Sequence, residues 1–206
     1  MYARGQLRQR PNMGGALFEK IKLEAAFMKE FVRAPLLVGS ICPSSRALTK
    51  TLVHMAGTDR EGLIVDLGAG SGIVSQELLG AGVASERLVA VELSPGFRKS
   101  FARACPGVAM ITGDARDLGK LLDRHAPGVP VCSVISSLPF RVMPRPIVLD
   151  ILREIRHVLL ERGGSFVQYT YAWWMQYPLR KFGFAPDAAR LVLKNVPPAK
   201  VEIYRP

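Results

Sequence analysis

Three glycines at alternate positions follow a short apolar run in the stretch IVDLGAGSG, residues 64–72. Glycine lets the backbone turn sharply and approach a ligand closely, and a helix start at this point favours an anionic group. Ile73 stands where a dinucleotide-binding loop has its third small residue, and no Gly-Lys-Ser/Thr follows. Gly68, Gly70 and Gly72 therefore predict a ligand-binding loop; the pattern disfavours a dinucleotide and excludes a P-loop.

Two acidic residues close the next two predicted strands. Glu92 lies in VAVELS, 20 residues after Gly72, and Asp114 lies in GDA. A carboxylate at the first position can accept hydrogen bonds from both ribose hydroxyls, and Asp114 is placed to accept from an exocyclic amino group such as adenine N6. Each acid has an alternative role as the cap of the helix that follows it.

These motifs need strands that end at one edge of a sheet, where ligands of doubly wound folds bind. Beyond residue 62 strands and helices alternate, which predicts a parallel sheet with helices on both faces. The predicted strands are 63–67, 88–92, 108–112, 132–136 and 165–171, and the clearest helix is 145–161. The tail segments ARLVLKN and KVEIYR are joined without a helix, which predicts a hairpin-like pair that puts an antiparallel strand into the sheet edge.

The loop, both acids and the tail together resemble the class I S-adenosylmethionine-dependent methyltransferases, over about residues 40 to 206. The resemblance implies an α/β fold with a doubly wound, seven-stranded, mostly parallel sheet and an antiparallel last strand. It implies S-adenosylmethionine as cofactor, S-adenosylhomocysteine as product, and no metal. The residues that it places along the cofactor are Asp66, Gly68, Ala69, Gly70, Gly72, Glu92, Leu93, Asp114, Ala115 and Ser136.

The fourth predicted strand runs into SSLPF, residues 136–140. This turn is similar to the Asn/Asp-x-Pro-aromatic motif of enzymes that methylate amino groups of nucleobases. Ser137 replaces the amide or acid that accepts from the base, which weakens a base-methylating interpretation, while Pro139 and Phe140 remain as a rigid wall. The alternative is an ordinary proline-containing turn with a buried phenylalanine.

Outside the core fold, PLLVGSICPSSRAL, FVQYTYAW and NVPPAKVEIYR resemble the bacterial phospholipid N-methyltransferases, as does the SSLPF turn. That resemblance, from about Leu17 to the end, implies methylation of phosphatidylethanolamine, through its mono- and dimethyl forms, to phosphatidylcholine. Aromatic rings stabilise the quaternary ammonium of the product, a hydroxyl or an imidazole can take the proton of the substrate amine, and the phosphodiester of the lipid needs a cation. The predicted catalytic residues are Phe140, Tyr169 and Tyr171, and the predicted substrate-binding residues are Ser44, Ser45, Arg46, Ser137, Leu138, Pro139, Arg141 and Arg180.

The 28 Lys and Arg against 17 Asp and Glu give a net charge of +11, which favours a polyanionic partner such as nucleic acid or an anionic membrane surface. We expect a disordered basic arm over 1–14, an amphipathic membrane-surface helix over 15–34 and the methyltransferase domain over 35–206. Phe18, Ile21 and Ala25 begin the apolar face of that helix. The alternative is that this helix packs permanently on the sheet.

Three scattered cysteines form no ligand or disulfide pattern. With no spanning run of apolar residues, we expect a cytoplasmic enzyme at the inner face of the cytoplasmic membrane. A phospholipid substrate and an anionic membrane surface are the expected partners; no obligatory nucleic acid is expected, and the oligomeric state stays open. The alternatives are an RNA adenine-N6 dimethyltransferase, and a membrane-binding module that has lost its activity.

Overall fold

Short apolar strands form a seven-stranded sheet in the computed structural model, which describes residues 46–140, 143–170, 179–194 and 198–206. Every residue of LIVDL, LVAVE and VCSVIS is buried. Continuous burial of this kind is typical of central parallel strands covered on both faces. The predicted segments 1–14 and 15–34 lie outside the described residues, as do Ser44, Ser45, Arg141 and Tyr171.

The strand order is β3-β2-β1-β4-β5-β7-β6. The strands are β1 Leu63–Leu67, β2 Leu88–Glu92, β3 Ala109–Thr112, β4 Val131–Ser136, β5 Ser165–Thr170, β6 Ala185–Val192 and β7 Ala199–Arg205. Neighbours from β3 to β5 are parallel, and β7 is antiparallel to both β5 and β6. The last strand is thus antiparallel, as predicted, but it lies one strand in, and β6 occupies the edge.

This arrangement fixes the direction of β6. Since β7 is antiparallel to both of its neighbours, β6 runs parallel to β5. The chain must therefore return to the amino edge of the sheet before β6 begins at Ala185, and β6 ends at the carboxyl edge. The turn that follows Val192 consequently lies at the edge where β1, β2, β4 and β5 end.

Helices cover both faces of the sheet, as predicted. They are α1 Arg46–Met55, α2 Ile73–Gly80, α3 Arg98–Ala104, α4 Leu118–His125 and α5 Arg145–Arg162. Leu48 and Leu52 of α1 share a buried cluster with Val167 and Val201, on the face that also carries α2 and α3. The longest helix, α5, lies on the other face with α4 and buries apolar residues at spacings of three and four. No helix in the described ranges is long and apolar enough to cross a bilayer.

Four arginines hold loop carbonyls at the amino edge of the sheet. Arg60 donates to the backbone oxygens of Ala56 and Cys132, and Arg87 donates to those of Thr58, Arg60 and Gly62. Arg162 donates to Ala126 and Val129, and Arg156 donates to Gly183. Part of the positive charge of the protein is therefore used to satisfy backbone acceptors, most of them half-buried.

An aromatic cluster joins β5, β7 and the segment that enters β6. The ring centroid of Phe166 lies 5.5 Å from that of Phe184 and 6.3 Å from that of Tyr204. Phe166 and Phe184 are fully buried, and separations of this size suit tilted aromatic pairs. The cluster fixes the outer strands against the parallel core.

Phe166→Ala should lower the free energy of unfolding by about 3–5 kcal/mol, because it removes a fully buried ring and leaves a cavity. Leu160→Ala is the matched control, since Leu160 is 57% exposed and surface changes usually cost less than about 0.5 kcal/mol. Urea denaturation followed by circular dichroism measures both. Equal midpoints for the two variants would contradict this account of the cluster.

Candidate functional site

The β1–α2 loop turns on three left-handed glycines, with φ of +79° at Gly68, +54° at Gly70 and +90° at Gly72. A Cβ at Gly68 would lie 2.7 Å from Cδ2 of Leu138, and one at Gly72 would lie 2.7 Å from Sγ of Cys105. A Cβ at Gly70 would meet no atom of the described residues within 4 Å. Gly68 and Gly72 are therefore required by packing, whereas Gly70 faces open space, as a residue that admits a ligand does.

Glu92 fixes this loop from the end of β2. Its side chain is only 6% exposed; Oε2 accepts from the Gly70 N–H at 3.0 Å and Oε1 accepts from the Ser94 N–H at 2.9 Å. Each carboxylate oxygen can accept a second hydrogen bond. Ser94, whose Oγ accepts from the Gly96 N–H, caps the short helix Pro95–Phe97, so the capping role proposed for Glu92 belongs to its neighbour.

Asp66 lies in β1 beneath the loop with one oxygen satisfied. Its Oδ2 accepts from the Ser75 hydroxyl at 2.7 Å, while the buried Oδ1 has no hydrogen-bond partner in the described part of the chain. Burial raises the pKa of Asp66 to about 6, the Ser75 hydrogen bonds oppose this shift, and the charge of Glu92 adds to it. A buried acceptor without a donor is costly, so this oxygen is suited to a ligand that supplies one.

Asp114 caps the short helix that follows it, which was the alternative to its predicted contact with the adenine amino group. It accepts from the backbone N–H of Arg116 at 2.9 Å and forms a paired contact with the Arg116 guanidinium, at 2.8 Å for Nη2. It thereby caps the short helix Ala115–Asp117. Its side chain is 26% exposed, so a hydrogen bond from an adenine amino group remains a prediction beside this role.

The β4–α5 turn meets the glycine loop. Leu67 accepts from the Ser137 N–H at 2.9 Å, Oγ of Ser136 accepts from the Leu138 N–H at 3.2 Å, and Leu138 lies against Gly68. Phe140 is only 5% exposed, as in the alternative of a turn with a buried phenylalanine. Contact of Phe140 with a substrate therefore stays a prediction.

The remaining predicted residues divide between the two edges of the sheet. Tyr169 lies near the carboxyl end of β5, half-buried against the α1 cluster. Arg180 lies in the short helix Leu179–Phe182, just before β6, and its charge acts on Tyr204 near the end of β7. Arg180 therefore lies at the amino edge, opposite the glycine loop, because the chain crosses back before β6; this position does not support its predicted role in binding the substrate. Arg46 starts α1, and its side chain lies outside the described residues.

Three polar residues at the site do not figure among the predicted ones. Ser75 donates to Asp66 and Ser94 donates to Glu92, each through a contact given above. Gln168 lies opposite Ser136 in the parallel pairing of β5 with β4; its Nε2 donates to the Tyr169 carbonyl at 3.0 Å, and its buried Oε1 has no partner in the described ranges. Only Ser75 had a usable sequence signal, as a hydroxyl in the first turn of the helix after the loop.

The chemistry at this edge fits S-adenosylmethionine. Open space at Gly70 admits a ligand, the Glu92 carboxylate can accept from hydroxyls, and the unpartnered Asp66 oxygen can accept from a cationic amine. Among the described residues, no group of three or more His, Cys, Asp or Glu side chains is arranged to hold a metal ion.

Comparison with known proteins agrees with this geometry. Residues 65–167, half of the chain, match the methyltransferase domain family. An ornithine lipid N-methyltransferase from Singulisphaera acidiphila is 27% identical over 178 residues, which cover 84% of this chain and 91% of that protein.

Solved structures show the same fold. The CcbJ methyltransferase from Streptomyces caelestis has a TM-score of 0.60 at 16% identity, covering 81% of this chain and 98% of that one. A TehB-like SAM-dependent methyltransferase from Corynebacterium glutamicum has a TM-score of 0.56 at 14% identity, covering 87% and 98%. The family match, the glycine loop and the sheet order together show that this chain belongs to the methyltransferase domain family, as a class I S-adenosylmethionine-dependent methyltransferase.

Proposed function

We propose that this enzyme transfers methyl groups from S-adenosylmethionine to the amine of a membrane lipid, phosphatidylethanolamine and its mono- and dimethyl forms, to give phosphatidylcholine. The observation that carries the lipid class is the similarity to the ornithine lipid N-methyltransferase. It extends over 84% of this chain and 91% of that protein, and therefore beyond the cofactor-binding core at residues 65–167.

For the cofactor, we assign Glu92 to the ribose hydroxyls, since both of its oxygens are already fixed in place by backbone N–H groups. The free Oδ1 of Asp66 is assigned to the ammonium, and Asp114 and Ala115 to the adenine side. Gly70 leaves the space through which the ligand approaches. When bound, S-adenosylmethionine supplies a methyl group made electrophilic by the positive sulfur beside it.

On the substrate side, the β4–α5 turn provides an apolar wall. A lipid amine has a pKa of about 10, like that of a lysine, so its free base costs roughly 4 kcal/mol at neutral pH. Leu138 and Phe140 exclude water, which lowers the pKa of an amine held beside them. The amine can lose its proton to water before it enters this site. The hydroxyls of Ser137 and Tyr169 are then candidates for accepting a hydrogen bond from a remaining N–H of the free amine, and positioning can supply much of the rate.

An ornithine lipid is the second candidate substrate. The curated relative acts, by its name, on such a lipid, which presents a primary amine without a phosphodiester. Arg180, proposed for the phosphate, lies at the far edge of the sheet, which leaves Arg46 and Arg141 for that role. In either case the substrate lies in a membrane, and we propose the amphipathic helix that the sequence predicts over 15–34 as an anchor on its anionic surface, at the inner face of the cytoplasmic membrane.

Gly70→Ala should weaken the binding of S-adenosylhomocysteine at least about tenfold, because its methyl group enters space that the ligand needs, while a left-handed alanine costs only about 1–2 kcal/mol of stability. Gly72→Ala should cost more stability, since its Cβ adds a 2.7 Å contact with Cys105. Calorimetry and urea denaturation measure the two quantities. Undiminished affinity in Gly70→Ala would remove Gly70 from the cofactor site.

Donor binding should depend on the ionisation of Asp66. Its pKa, raised from 3.8 to about 6 in the folded protein, means that the native state binds the proton more tightly than the unfolded chain. The free energy of unfolding therefore falls by about 3 kcal/mol as the pH rises between these values, and is level above them. A cationic donor group prefers the carboxylate, so its affinity rises over the same interval.

Measurements of the free energy of unfolding and of the affinity for S-adenosylmethionine at about pH 4–8 check this prediction. Asp66→Asn should flatten both profiles, because the titrating group is gone. Ser75→Ala removes a hydrogen bond that lowers the pKa of Asp66, so it should move both midpoints to higher pH. Wild-type profiles in either variant would show that another group titrates.

Methyl transfer to a defined acceptor tests the substrate. Full-length protein with methyl-labelled S-adenosylmethionine should label phosphatidylethanolamine in vesicles, with products separated by thin-layer chromatography; Glu92→Ala, which loses the loop contact, is the inactive control. Label on an ornithine lipid but not on phosphatidylethanolamine would select the second candidate. Label on ribosomal RNA and on neither lipid would overturn the proposal.

A further inference from the structure

Large apolar side chains are exposed at few places in the described part of the chain. They are Ile73, Val129, Leu160, Leu191 and Leu193. Val129 precedes β4 and Leu160 lies in the last turn of α5, so both lie toward the amino edge of the sheet. Ile73 is the first residue of α2, directly after the glycine loop, which leaves Leu191 and Leu193 as an apolar feature of the carboxyl edge that the cofactor site does not explain.

These two leucines lie where β6 ends. Leu191 pairs with Lys200 of β7, and Lys200 pairs with Thr170, the last residue of β5. Leu191 is thus level with the carboxyl end of β5. Leu193 and Lys194 follow in a turn after Val192, and at about 3.3 Å per extended residue Leu193 reaches at most about 7 Å beyond that row. In the sheet, β7 lies between β5 and β6, so about 10 Å separates β6 from β5.

We call this segment, residues 190–194, the β6 tip. Leu191 is 53% exposed and Leu193 is 70% exposed, while Val192 between them is only 7% exposed, so the more exposed of the two leucines lies in the turn. Such a convex apolar feature fits an interface into which it inserts better than a groove into which a partner docks.

The charges around the β6 tip are positive. Arg190 and Lys194 are exposed on either side of the leucines, and Lys200 is paired with Glu202 at 2.7 Å. The acid on β6 itself, Asp187, pairs with Arg205 at the other end of the strand. Leucines flanked by cations match the boundary between acyl chains and anionic headgroups.

We infer that the β6 tip inserts into the headgroup layer of an anionic bilayer and holds the carboxyl edge of the sheet against it. The inference rests on the proposed lipid substrate and deepens it, because it names the surface that presents the site to the membrane. The amine then enters at the edge that carries the glycine loop and the β4–α5 turn, and the lipid does not have to leave the bilayer completely.

Vesicle binding and methyl transfer, measured separately on full-length protein, test this inference. The variant L191S/L193S should partition about tenfold more weakly than wild type onto phosphatidylethanolamine–phosphatidylglycerol vesicles, in co-sedimentation. L160S replaces a leucine whose exposure, 57%, lies between those of Leu191 and Leu193 but which lies toward the amino edge of the sheet, and it should bind as wild type does. K194E, which removes no apolar contact, should weaken binding to these vesicles and reduce its dependence on salt.

The physical form of the methyl acceptor, monomeric lipid or vesicles, distinguishes a defect in membrane binding from a defect in catalysis. With a short-chain phosphatidylethanolamine dispersed as monomers, L191S/L193S should transfer methyl groups at the wild-type rate, and with vesicles it should be slower by about the loss in partitioning. Unchanged partitioning of both L191S/L193S and K194E would overturn the inference. So would a wild-type dimer in analytical ultracentrifugation that L193S dissociates, because a second copy would then cover the tip. Absence of transfer to any lipid, with vesicle binding still dependent on the leucines, would instead refute the proposed substrate.

Discussion

The site depends on the buried carboxylate of Glu92. A buried charge is stable only when hydrogen-bond donors surround it, and here the donors are the backbone N–H groups of Gly70 and Ser94. Because Gly70 belongs to the loop after β1 and Ser94 to the loop after β2, one carboxylate ties together the ends of two neighbouring strands. The glycine loop is held by this contact and by the packing of Leu138 on Gly68, and its open side at Gly70 faces the carboxyl edge of the sheet.

The two acids of the site are prepared in opposite ways. Glu92 has a donor on each oxygen, whereas Asp66 has Ser75 on one oxygen and none in the described chain on the other. The first arrangement gives rigidity, and the second leaves an acceptor whose desolvation is not compensated until a ligand donates to it. The raised pKa of Asp66 reflects the cost of burying its charged form. The ionised Asp66 therefore lowers the stability of the fold, while it provides a binding group that is already in position.

The sequence predicted the parallel core well because its strands are short and mostly apolar, and because β1, β2 and β3 each end in or are followed by a glycine or an acidic residue. It missed the start of β6, where Ala185, Pro186 and Asp187 have little strand propensity and are exposed; only pairing with β7 makes them a strand. The sequence could not show that Arg180 lies at the amino edge, because residue spacing does not reveal where between β5 and β6 the chain returns from the carboxyl edge to the amino edge. The Arg116 contact of Asp114 and the burial of Phe140 also depend on tertiary packing, which residue types alone do not reveal.

The two edges of the sheet have different chemistry, and this difference changes how the net charge of +11 is understood. At the amino edge, Arg60, Arg87 and Arg162 donate to loop carbonyls, so these cations serve the fold and are poor evidence for a polyanionic partner. At the carboxyl edge, Arg190 and Lys194 stand exposed beside two exposed leucines. A polyanion would account only for the cations, whereas the anionic membrane that we infer as the partner of the β6 tip accounts for both the cations and the leucines.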